Sequence, residues 1–577
     1  MAKWEIKNEK ADIKLMCETL GISSFISQIL VNRGIRTKNS CIKFLNPSSK
    51  FLNDASNLLG IKEAISKLLK NSNIKIAIYG DYDVDGVMST VILHKGLSAI
   101  FKDLIYYIPQ RDSEGYGLNN NAIRQLYLQG VNLIIACDTG ITAIEEVALA
   151  NSLGMEVIII DHHETIIERN NEILPDAIIV NPKQKNCAYP FKEICAAGLC
   201  FKFINELYKS VGMDITSTFF NENLAFAAIA TLCDVVELTD ENRIIVRLGL
   251  NILTESQPNI GIKLLMKYNK LENINEEAIG YTIGPCINAT GRLSSATIAV
   301  TLFLENNEKK AAAIAKEIIA LNEQRKNLTS SAFNIVYDKI NENDNVIVIY
   351  TEDIHESVAG IIAGRIKEKV YKPTIIITNG ENFAKGSARS IEGYNIYYNL
   401  SKCRHLFHKF GGHKMAAGFS LLKDDIPALK TALNKDFKGG TEKTITIDFP
   451  LSLEMVTYTL VKEMDILRPF GKNNEAPIFL TKGVKISQLR VIKEKDTLIF
   501  TFLTDDERSI KGICFGETKR FEELITNNYD NYNSNKILNG VVRTANLVLD
   551  IVYCIELNSY NGLTSLQLKI KDFKLSR

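Results

Sequence analysis

Apolar and polar residues alternate along this chain with periods that change from region to region. Residues 1–70 have a helical, connecting pattern, and from Ile74 short apolar runs alternate with amphipathic stretches. This alternation predicts strands and helices that build a parallel α/β sheet. The predicted strands are Ile74–Tyr79, Leu104–Ile108, Leu133–Cys137, Val157–Ile160 and Ile178–Val180, and the predicted helices between them are Val87–Ile100, Asn119–Gln129 and Ala143–Asn151.

Helical periodicity dominates from about Ala196 to Leu264 and returns in one long stretch, Glu305–Ile340, which contains neither Gly nor Pro. A helix of that length is suited to connect two lobes. A second α/β block follows, with strands at Val346–Ile349 and Thr374–Thr378 around a helix at about residues 358–369.

After about Gly439 the pattern becomes all-β. Short segments rich in β-branched residues are separated by turn residues, and this favours a small barrel of the OB type. These segments are Thr497–Leu503, Ile510–Phe515, Leu547–Ile555 and Leu563–Ile570. The Asn-rich stretch Asn527–Asn535 is predicted to be a polar loop.

Composition changes this picture little. The 577 residues include 68 basic and 67 acidic side chains, so the net charge of +1 neither supports nor excludes a polyanionic partner. The chain has no apolar run of about 18 residues, and its first residues do not resemble a secretory signal. Eleven cysteines without a CxxC pair are typical of free thiols in a reducing cytoplasm.

Three carboxylate-bearing motifs each follow a predicted strand directly. They are Gly80–Gly86 (Gly-Asp-Tyr-Asp-Val-Asp-Gly), Asp138–Gly140 and Asp161–Glu164 (Asp-His-His-Glu). The carboxyl ends of parallel strands meet at one edge of a sheet, where ligands of open α/β sheets bind, so we expect the motifs to converge. A fourth carboxylate, Asp234, ends the apolar helical run Ala225–Cys233.

Clustered carboxylates repel one another unless cations neutralise them. Oxygen ligands with one imidazole suit Mn²⁺ or Mg²⁺, and two such ions about 3.5–4 Å apart can clamp a phosphoryl group for in-line attack. A lone Asp after a strand is more often a helix N-cap, and Asp85 or Asp138 alone would be interpreted that way. Three such motifs in succession favour a metal site.

Four further motifs fit phosphate binding, because backbone N–H groups and Arg side chains are oxyanion receptors. They are Ser113–Leu118, Gly284–Arg292, Gly386–Ser390 and Gly411–Gly418. Residues 355–415 also contain ten Lys or Arg against four Asp or Glu, unlike the balanced whole. Each motif alone is equally compatible with tight packing at its glycines.

Together these motifs resemble the DHH phosphoesterases, and the long form with Ser-Glu-Gly-Tyr-Gly-Leu, Asn-Ala-Thr-Gly-Arg, Gly-Ser-Ala-Arg-Ser and Gly-Gly-His resembles the RecJ family within that superfamily. The similarity runs from about Lys75 to Ser420. It implies a 5′→3′ exonuclease that degrades single-stranded DNA to mononucleotides with two Mn²⁺ or Mg²⁺ ions, in DNA repair and recombination. The expected partners are single-stranded DNA, a helicase and a single-strand-binding protein, and the expected form is a cytoplasmic monomer.

The resemblance implies five regions: a helical connecting segment (1–70), a DHH catalytic domain (71–300), a connecting helix (301–340), a DHH-associated substrate-binding domain (341–430) and an OB-like nucleic-acid-binding domain (440–577). It also implies site residues. The expected metal ligands are Asp83, Asp85, Asp138, His162 and Asp234, with Asp81 in the same cluster. The expected catalytic residues are His163, Asp161 and Arg292. The expected substrate-binding residues are Tyr116, Asn288, Arg292, Ser387, Arg389 and His413.

The sequence departs from the family pattern at Cys286, where Arg is usual, and at Tyr79, where relatives that hydrolyse pyrophosphate carry His. The first departure predicts one fewer phosphate contact, and Asp81 would compensate for the second. Two alternatives stay open: a DHH phosphodiesterase for nano-RNA or cyclic dinucleotides, and a non-catalytic single-strand-binding module. Nothing in the sequence suggests an NTP-driven motor, because no phosphate-binding Gly-rich Lys-Ser/Thr loop occurs.

Overall fold

The computed structural model of the chain describes residues 2–9, 11, 13–70, 73–168, 170–256, 259–380, 382–435, 437, 442–539, 547–560 and 563–576. The boundary predicted near Gly439 lies outside these residues. Backbone contacts divide the chain into two compact units. One contains residues 46–437 and 469–474, and the other contains residues 1–45, 438–468 and 475–577.

The N-terminal region contains the predicted helices and, in addition, a short strand. The elements are β1 (Lys3–Ile6), α1 (Ile13–Leu20), α2 (Ser24–Asn32), α3 (Lys38–Leu45) and α4 (Ile61–Leu69). Strand β1 pairs in parallel with Thr444–Ile447, and the ring of Phe25 stacks on that of Phe479. Residues 2–45 are therefore part of the unit that holds the C-terminal barrel rather than a simple connection.

The first α/β lobe forms around a five-stranded parallel sheet with helices on both faces. Its elements are β2 (Ile76–Tyr79), α5 (Val84–Leu97), β3 (Leu104–Tyr107), α6 (Asn120–Leu128), β4 (Leu133–Cys137), α7 (Ile144–Ser152), β5 (Glu156–Ile160), the hairpin β6 (Ile166–Glu168) and β7 (Asn171–Ile173), and β8 (Ile178–Val180). The sheet order is β3-β2-β4-β5-β8. Alternate residues of β2 enter two different cores, which is why its sequence is apolar throughout.

A helical layer completes this lobe and leads to the second. Its helices are α8 (Ala196–Ser210), α9 (Ser217–Cys233), α10 (Asp240–Glu255), α11 (Ile260–Tyr268), α12 (Glu276–Ala278), a π-helical turn at Ile279–Ile283, α13 (Gly284–Leu293), α14 (Thr297–Leu304) and α15 (Glu308–Tyr337). The predicted long helix is confirmed as α15. Asn307 determines its start by accepting hydrogen bonds from the N atoms of Lys309 and Lys310.

The second lobe is a mixed five-stranded sheet. Its elements are β9 (Ile347–Tyr350), α16 (Glu356–Val370), β10 (Thr374–Thr378), β11 (Ala384–Arg389), α17 (Ile396–Ser401), β12 (Phe407–His413), β13 (Ala416–Leu421) and α18 (Ile426–Lys435). The sheet order is β12-β13-β11-β10-β9. Only β9 and β10 are parallel, and the basic motifs of this lobe lie on the antiparallel strands β11 and β12.

The C-terminal strands close into a barrel, as predicted. The elements are β14 (Thr444–Ile447), β15 (Phe449–Pro450), α19 (Tyr458–Met464), β16 (Phe479–Ile492), β17 (Thr497–Leu503), β18 (Ser509–Phe515), α20 (Thr518–Asn528), α21 (Asn531–Leu538), β19 (Val548–Tyr560) and β20 (Leu563–Leu575). Pairing of β16 with both β17 and β19 closes the sheet. Phe500 and Phe502 are buried inside it.

Two helices correct the prediction of an all-β region with a polar loop at Asn527–Asn535. Helix α20 ends at Asn528, and α21 occupies most of the predicted loop. Asp530 caps α21 by accepting a hydrogen bond from Asn533 N, and the helices bury Phe521, Ile525 and Ile537. Because this Asn-rich stretch has so few apolar positions, its helical periodicity is too weak to predict a helix. In the described residues no helix is both long and apolar enough to cross a membrane.

Candidate metal and phosphate site

The predicted carboxylate motifs lie at the carboxyl edge of the first sheet. Strand β2 is flanked by β3 on one side and β4 on the other, so the chain order reverses next to β2. A crevice opens at such a switch point in open α/β sheets. The Gly80–Gly86 loop follows β2, and Asp138 follows β4 at this crevice.

The loop after β2 is held by its own carboxylates. Asp83 caps α5 by accepting hydrogen bonds from Asp85 N at 2.9 Å and Gly86 N at 3.1 Å. The Asp85 carboxylate accepts from Ala196 N at 2.7 Å and Ala197 N at 2.8 Å, at the N-terminus of α8. A β-carbon at Gly86 would lie 2.5 Å from the Asp81 carbonyl oxygen, so this tight loop requires glycine there.

Asp138 and Asp234 reach the same place from other elements. Asp138 has φ 61°, a left-handed conformation that Asp and Asn tolerate better than other side chains. Its N atom donates to Ile160 O at 3.1 Å, which fixes it beside β5. Asp234 stands at the C-terminal end of α9, and the next residue, Val235, also has a positive φ of 56°.

His162 is the point at which these carboxylates meet. Its Nε2 atom lies 3.3 Å from Asp138 Oδ1, 3.7 Å from Asp85 Oδ2 and 3.7 Å from Asp234 Oδ2. A second group of ligand atoms, from Asp81, Asp83 and Asp138, also lies within 4.8 Å of one another. Asp138 belongs to both groups. The two groups could therefore hold two cations with a shared ligand.

Burial and mutual repulsion raise the pKa values of the carboxylates, as expected for a cluster whose charge cations would neutralise. Burial and then the charge of Asp83 raise the pKa of Asp85 to about 7, and burial and then Asp85 raise that of Asp234 to about 8. The pKa values of Asp81 and Asp138 lie well above the usual range, first because of burial and then because of neighbouring carboxylates. Burial and the charge of His163 lower the pKa of His162 to about 3, so its imidazole is neutral.

One further observation indicates that these residues could bind divalent cations. The buried Oδ1 atom of Asp81 has no hydrogen-bond partner among the described residues. A buried unpaired carboxylate oxygen is costly unless a ligand satisfies it. Five carboxylates and one neutral imidazole form a donor set that suits Mn²⁺ or Mg²⁺.

The second histidine of the motif has a different environment. The Nδ1 atom of His163 lies 2.7 Å from Asp161 Oδ1, and Asp161 also accepts hydrogen bonds from the N atoms of His162, His163 and Ile141. Burial alone would lower the pKa of His163, but the Asp161 charge raises it to about 9. Burial would raise the pKa of Asp161, but His163 holds it below the usual range. His163 is therefore a cation at neutral pH, and Asp161 positions it.

Aromatic rings connect His163 with the second lobe. The Tyr116 hydroxyl lies 3.4 Å from His163 Nε2 and donates to the Asp138 carbonyl oxygen at 3.2 Å. On its other side, the His163 ring is parallel to the His413 ring, with centroids 6.3 Å apart. Tyr116 and His413, both predicted to bind substrate, therefore lie beside the proposed metal ligands.

Four arginines form a positive region, and one of them, Arg111, acts on Asp81 of the cluster. Burial and then the charge of Arg111 lower the pKa of Arg292 to about 10, with Arg325 and Arg389 contributing. The same two causes lower the pKa of Arg389. Mutual repulsion of this kind among guanidinium groups is relieved by an anion. Arg292 Nη1 donates to Ser357 O of the second lobe at 3.0 Å, so this region includes both lobes.

The remaining predicted substrate residues lie on the same surfaces. Asn288 is one helical turn before Arg292 on α13, and Ser387 is two residues before Arg389 on β11. A β-carbon at Gly291 would lie 2.5 Å from the Tyr82 carbonyl oxygen, so glycine allows α13 to pack against the Asp81–Asp85 loop.

The two departures from the family pattern are both buried. Cys286 lies in the core, where Asn322 Nδ2 donates to its Sγ atom at 3.2 Å. Tyr79 is buried as well, and its hydroxyl donates to Gly117 O at 3.1 Å. Asp81, by contrast, belongs to the carboxylate cluster, and its compensating role stays a prediction.

Two residues of the site were not predicted from the sequence. Arg111 lies 5.5 Å above the Tyr82 ring, and its position two residues before the Gly-rich loop was an available signal. Lys183 pairs with Glu164 at 2.9 Å and contributes to lowering the pKa of His162. Nothing in the local sequence around Lys183 indicates that β8 brings it to this edge.

Family models match three parts of the chain. The DHH family N-terminal domain matches residues 75–231, the DHHA1 domain matches residues 343–439, and the RecJ OB domain matches residues 447–572. The three models follow one another in the order expected from the motifs.

Curated relatives match the whole chain. The single-stranded-DNA-specific exonuclease RecJ of Bacillus subtilis is 34% identical over 590 residues, which cover 100% of this chain and 71% of the relative. RecJ of Salmonella typhimurium is 28% identical, with 95% of each chain covered.

Solved structures share the fold. RecJ of Thermus thermophilus in complex with Mn²⁺ matches with a TM-score of 0.81 at 23% identity, covering 100% of this chain and 80% of that one. An exonuclease RecJ bound to manganese matches with a TM-score of 0.57 at 29% identity, covering 66% of this chain and 96% of that one. The chain therefore belongs to the RecJ family of single-stranded-DNA-specific exonucleases within the DHH superfamily.

Proposed function

We propose that this protein is a single-stranded-DNA-specific exonuclease that degrades strands from the 5′ end and releases mononucleotides. The observation that carries this proposal is the arrangement of the site. The charge of Arg111 acts on Asp81 of the carboxylate and histidine cluster and also on Arg292 and Arg389, and the His413 ring is parallel to that of His163. Metal ions on one side and cationic side chains on the other suit a polynucleotide, whose phosphates recur at regular intervals along the strand. The names of the curated relatives support the same activity.

Two Mn²⁺ or Mg²⁺ ions are proposed as cofactors. One would be held by Asp85, His162 and Asp234 and the other by Asp81 and Asp83, with Asp138 shared between them. Both metals occur in the related Thermus RecJ structures. When bound, two such ions supply a hydroxide nucleophile at neutral pH and stabilise charge on the phosphoryl oxygens.

The protein side chains would position the scissile phosphate. His163, protonated at neutral pH, presents a positive charge beside the cluster, and Asp161 keeps its ring in one orientation. Arg292, held by the Ser357 carbonyl oxygen, would neutralise a phosphate oxygen without moving. Tyr116 would limit the path of the strand next to His163.

The 5′ end would be captured by the second lobe. Arg389 and Ser387 lie on β11, and Arg111 of the first lobe contributes to lowering the pKa of Arg389. These side chains together would bind a terminal phosphate, which carries two negative charges, better than an internal phosphodiester, which carries one. Capture of the end beside the metal site would release one nucleotide per cleavage and would define the 5′→3′ direction.

The C-terminal barrel is proposed to bind the single strand. Its surface contains a groove of about 1200 Å³ whose lining includes Tyr458, Lys485, Arg508 and Lys511. Basic side chains with an exposed aromatic ring suit the backbone and bases of a single strand. OB-fold domains commonly bind nucleic acid in this way.

We further propose that the enzyme acts as a cytoplasmic monomer with a helicase and a single-strand-binding protein. All eleven cysteines are free thiols, which suits a reducing compartment. A nuclease specific for single-stranded DNA needs another protein to separate the strands of a duplex. Adding a helicase to a blunt duplex should start degradation that the nuclease alone does not perform, and light scattering should give the mass of one chain.

One experiment tests the main proposal against the dinucleotide alternative. A 5′-phosphorylated 20-mer DNA, its duplex, and a dinucleotide are incubated with the protein and Mn²⁺ or a chelator. We expect metal-dependent degradation of the single strand to mononucleotides, with the undegraded remainder always keeping its 3′ label. Faster turnover of the dinucleotide would favour the alternative, and the absence of hydrolysis with every metal would support a binding module.

A further inference from the structure

A pocket of about 280 Å³ lies next to Asp234, on the first lobe. Its lining includes Cys233 and Val235, the two neighbours of Asp234, together with Asn288 of α13. Asp234 ends α9 directly after Cys233, so this side of the pocket lies next to the carboxylate cluster. The pocket therefore lies beside the proposed metal ligand Asp234, whose two chain neighbours line it.

Two aromatic side chains contribute to the pocket. Tyr281 is 80% exposed, and Phe470 is partly buried. Tyr281 belongs to the π-helical turn at Ile279–Ile283, and π-helical turns occur frequently at functional sites. A tyrosine this exposed gains little from the core, so its ring is available to a ligand.

The backbone around the pocket is strained at one residue and is held in place by hydrogen bonds. Val235 adopts a φ of 56°, which is rare for a β-branched residue and strains the backbone. Leu238 N donates to Lys472 O at 2.7 Å, and Phe470 N donates to Glu276 Oε1 at 3.0 Å. These bonds fix the segment that carries Phe470.

A planar heterocycle fits this environment better than a phosphate does. The lining is mainly apolar, with Tyr281, Phe470 and Val235, and Asn288 adds an amide that can both donate and accept hydrogen bonds. Asn288 and Arg292 lie one turn apart on the same face of α13. A strand whose phosphate contacts Arg292 would therefore carry a base towards Asn288.

We propose that this pocket binds a nucleobase adjacent to the scissile phosphate, with Tyr281 and Phe470 as its stacking surfaces and Asn288 as its polar contact. The inference rests on the proposed function, because the occupant is part of the DNA strand. Stacking is tolerant of sequence, since every base has an aromatic face. The pocket would thus hold the substrate in register for cleavage without selecting a sequence.

Fluorescence of 2-aminopurine, which is quenched on stacking, tests the proposal directly. The probe replaces the first, second or third base of a 5′-phosphorylated 20-mer, and binding is measured with the Asp138→Asn variant to prevent hydrolysis. We expect strong quenching at one position. Adding Tyr281→Ala should restore the fluorescence there and weaken binding about tenfold. Tyr127→Ala, which removes a 46% exposed tyrosine from α6, is the matched control and should change neither.

An abasic nucleotide at the same position provides a second measurement in the otherwise unmodified enzyme. Removal of the base should lower kcat/KM about tenfold, and Tyr281→Ala should lower it no further on that substrate. Equal rates on intact and abasic strands, or quenching that survives Tyr281→Ala, would overturn the proposal. Normal degradation without position-specific quenching refutes the pocket alone, whereas quenching without any hydrolysis refutes the proposed function alone.

Discussion

The Nδ1 atom of His163 lies 2.7 Å from Oδ1 of Asp161, whose other oxygen accepts a hydrogen bond from Ile141 N at 3.0 Å. The backbone of the loop after β4 thus holds the carboxylate, and the carboxylate holds the imidazole. The charge of Asp161 raises the pKa of His163 to about 9 against the effect of burial. His163 is therefore a cation at neutral pH.

Asp161→Asn should separate positioning from charge at His163. Without the carboxylate, the pKa of His163 should fall towards or below its usual value near 6.5. The wild-type rate should hold up to about pH 9, whereas the variant should lose activity at neutral pH and be about 10- to 100-fold slower at pH 8. Measurement of kcat against pH checks this. The exposed Asp176→Asn is the control, and superimposable pH profiles for wild type and Asp161→Asn would contradict the assignment.

Asp138 offers a second test, because its left-handed φ of 61° allows the choice of a variant that spares the backbone. Asn tolerates this conformation, whereas Ala would add a strain of about 1–2 kcal/mol. Asp138→Asn should reduce hydrolysis at least about 100-fold by removing the shared ligand, while the unfolding temperature of the metal-free protein stays equal or rises. Activity assays and thermal unfolding measure the two effects. Substantial retained activity would show that Asp138 is not a ligand.

The parallel sheet and the metal cluster were predictable from the sequence, because each depends on local signals. Short apolar runs such as Leu133–Cys137 were followed at once by carboxylates, and topology alone brings the ends of parallel strands together. Phe500 and Phe502 are both buried in the barrel because residues two apart on a strand share one face.

Contacts between residues distant in the sequence were not predictable. The pairing of β1 with Thr444–Ile447 joins the two ends of the chain, and nothing in Lys3–Ile6 indicates its partner. The approach of Arg111 to Arg292 depends on how α13 packs against the loop after β2. The helix α21 was missed because Asn-rich sequence has low helix propensity and only tertiary burial of Ile537 compensates for it.

The pKa values of Asp85 and Asp234, raised to about 7 and about 8, predict how pH and metal affect stability. Their values in the unfolded chain are near 3.9. The stabilisation that comes from binding protons is complete below about pH 4 and is lost as pH rises through 7 to 8. Saturating Mn²⁺ should therefore raise the unfolding temperature at both pH values, and the increase at pH 8 should exceed that at pH 6 by roughly 5 °C.

Thermal unfolding at both pH values, with Mn²⁺ or with a chelator, measures this difference. Asp138→Asn provides the control, since it lacks one proposed ligand and should show a smaller metal-dependent increase. An equal effect of Mn²⁺ at pH 6 and pH 8 would mean that protons and metal do not compete for these carboxylates.

Arg389 is predicted to recognise the terminal phosphate specifically. Its guanidinium lies near Arg111, and a β-carbon on Gly360 would come within 3.0 Å of its Nη2 atom, so the side chain is confined between elements of its own lobe. A charge-assisted contact of this kind contributes about 1.5–3 kcal/mol, so Arg389→Ala should weaken binding of a 5′-phosphorylated strand about 10- to 100-fold. A strand with a 5′-hydroxyl lacks the terminal charge and should lose much less affinity.

Binding of both strands, measured by fluorescence anisotropy without metal, tests the difference, with the exposed Arg404→Ala as the matched control in the same lobe. If Arg389→Ala weakened binding of both strands equally, Arg389 would contact internal phosphates, and the direction of degradation would have to come from another part of the site.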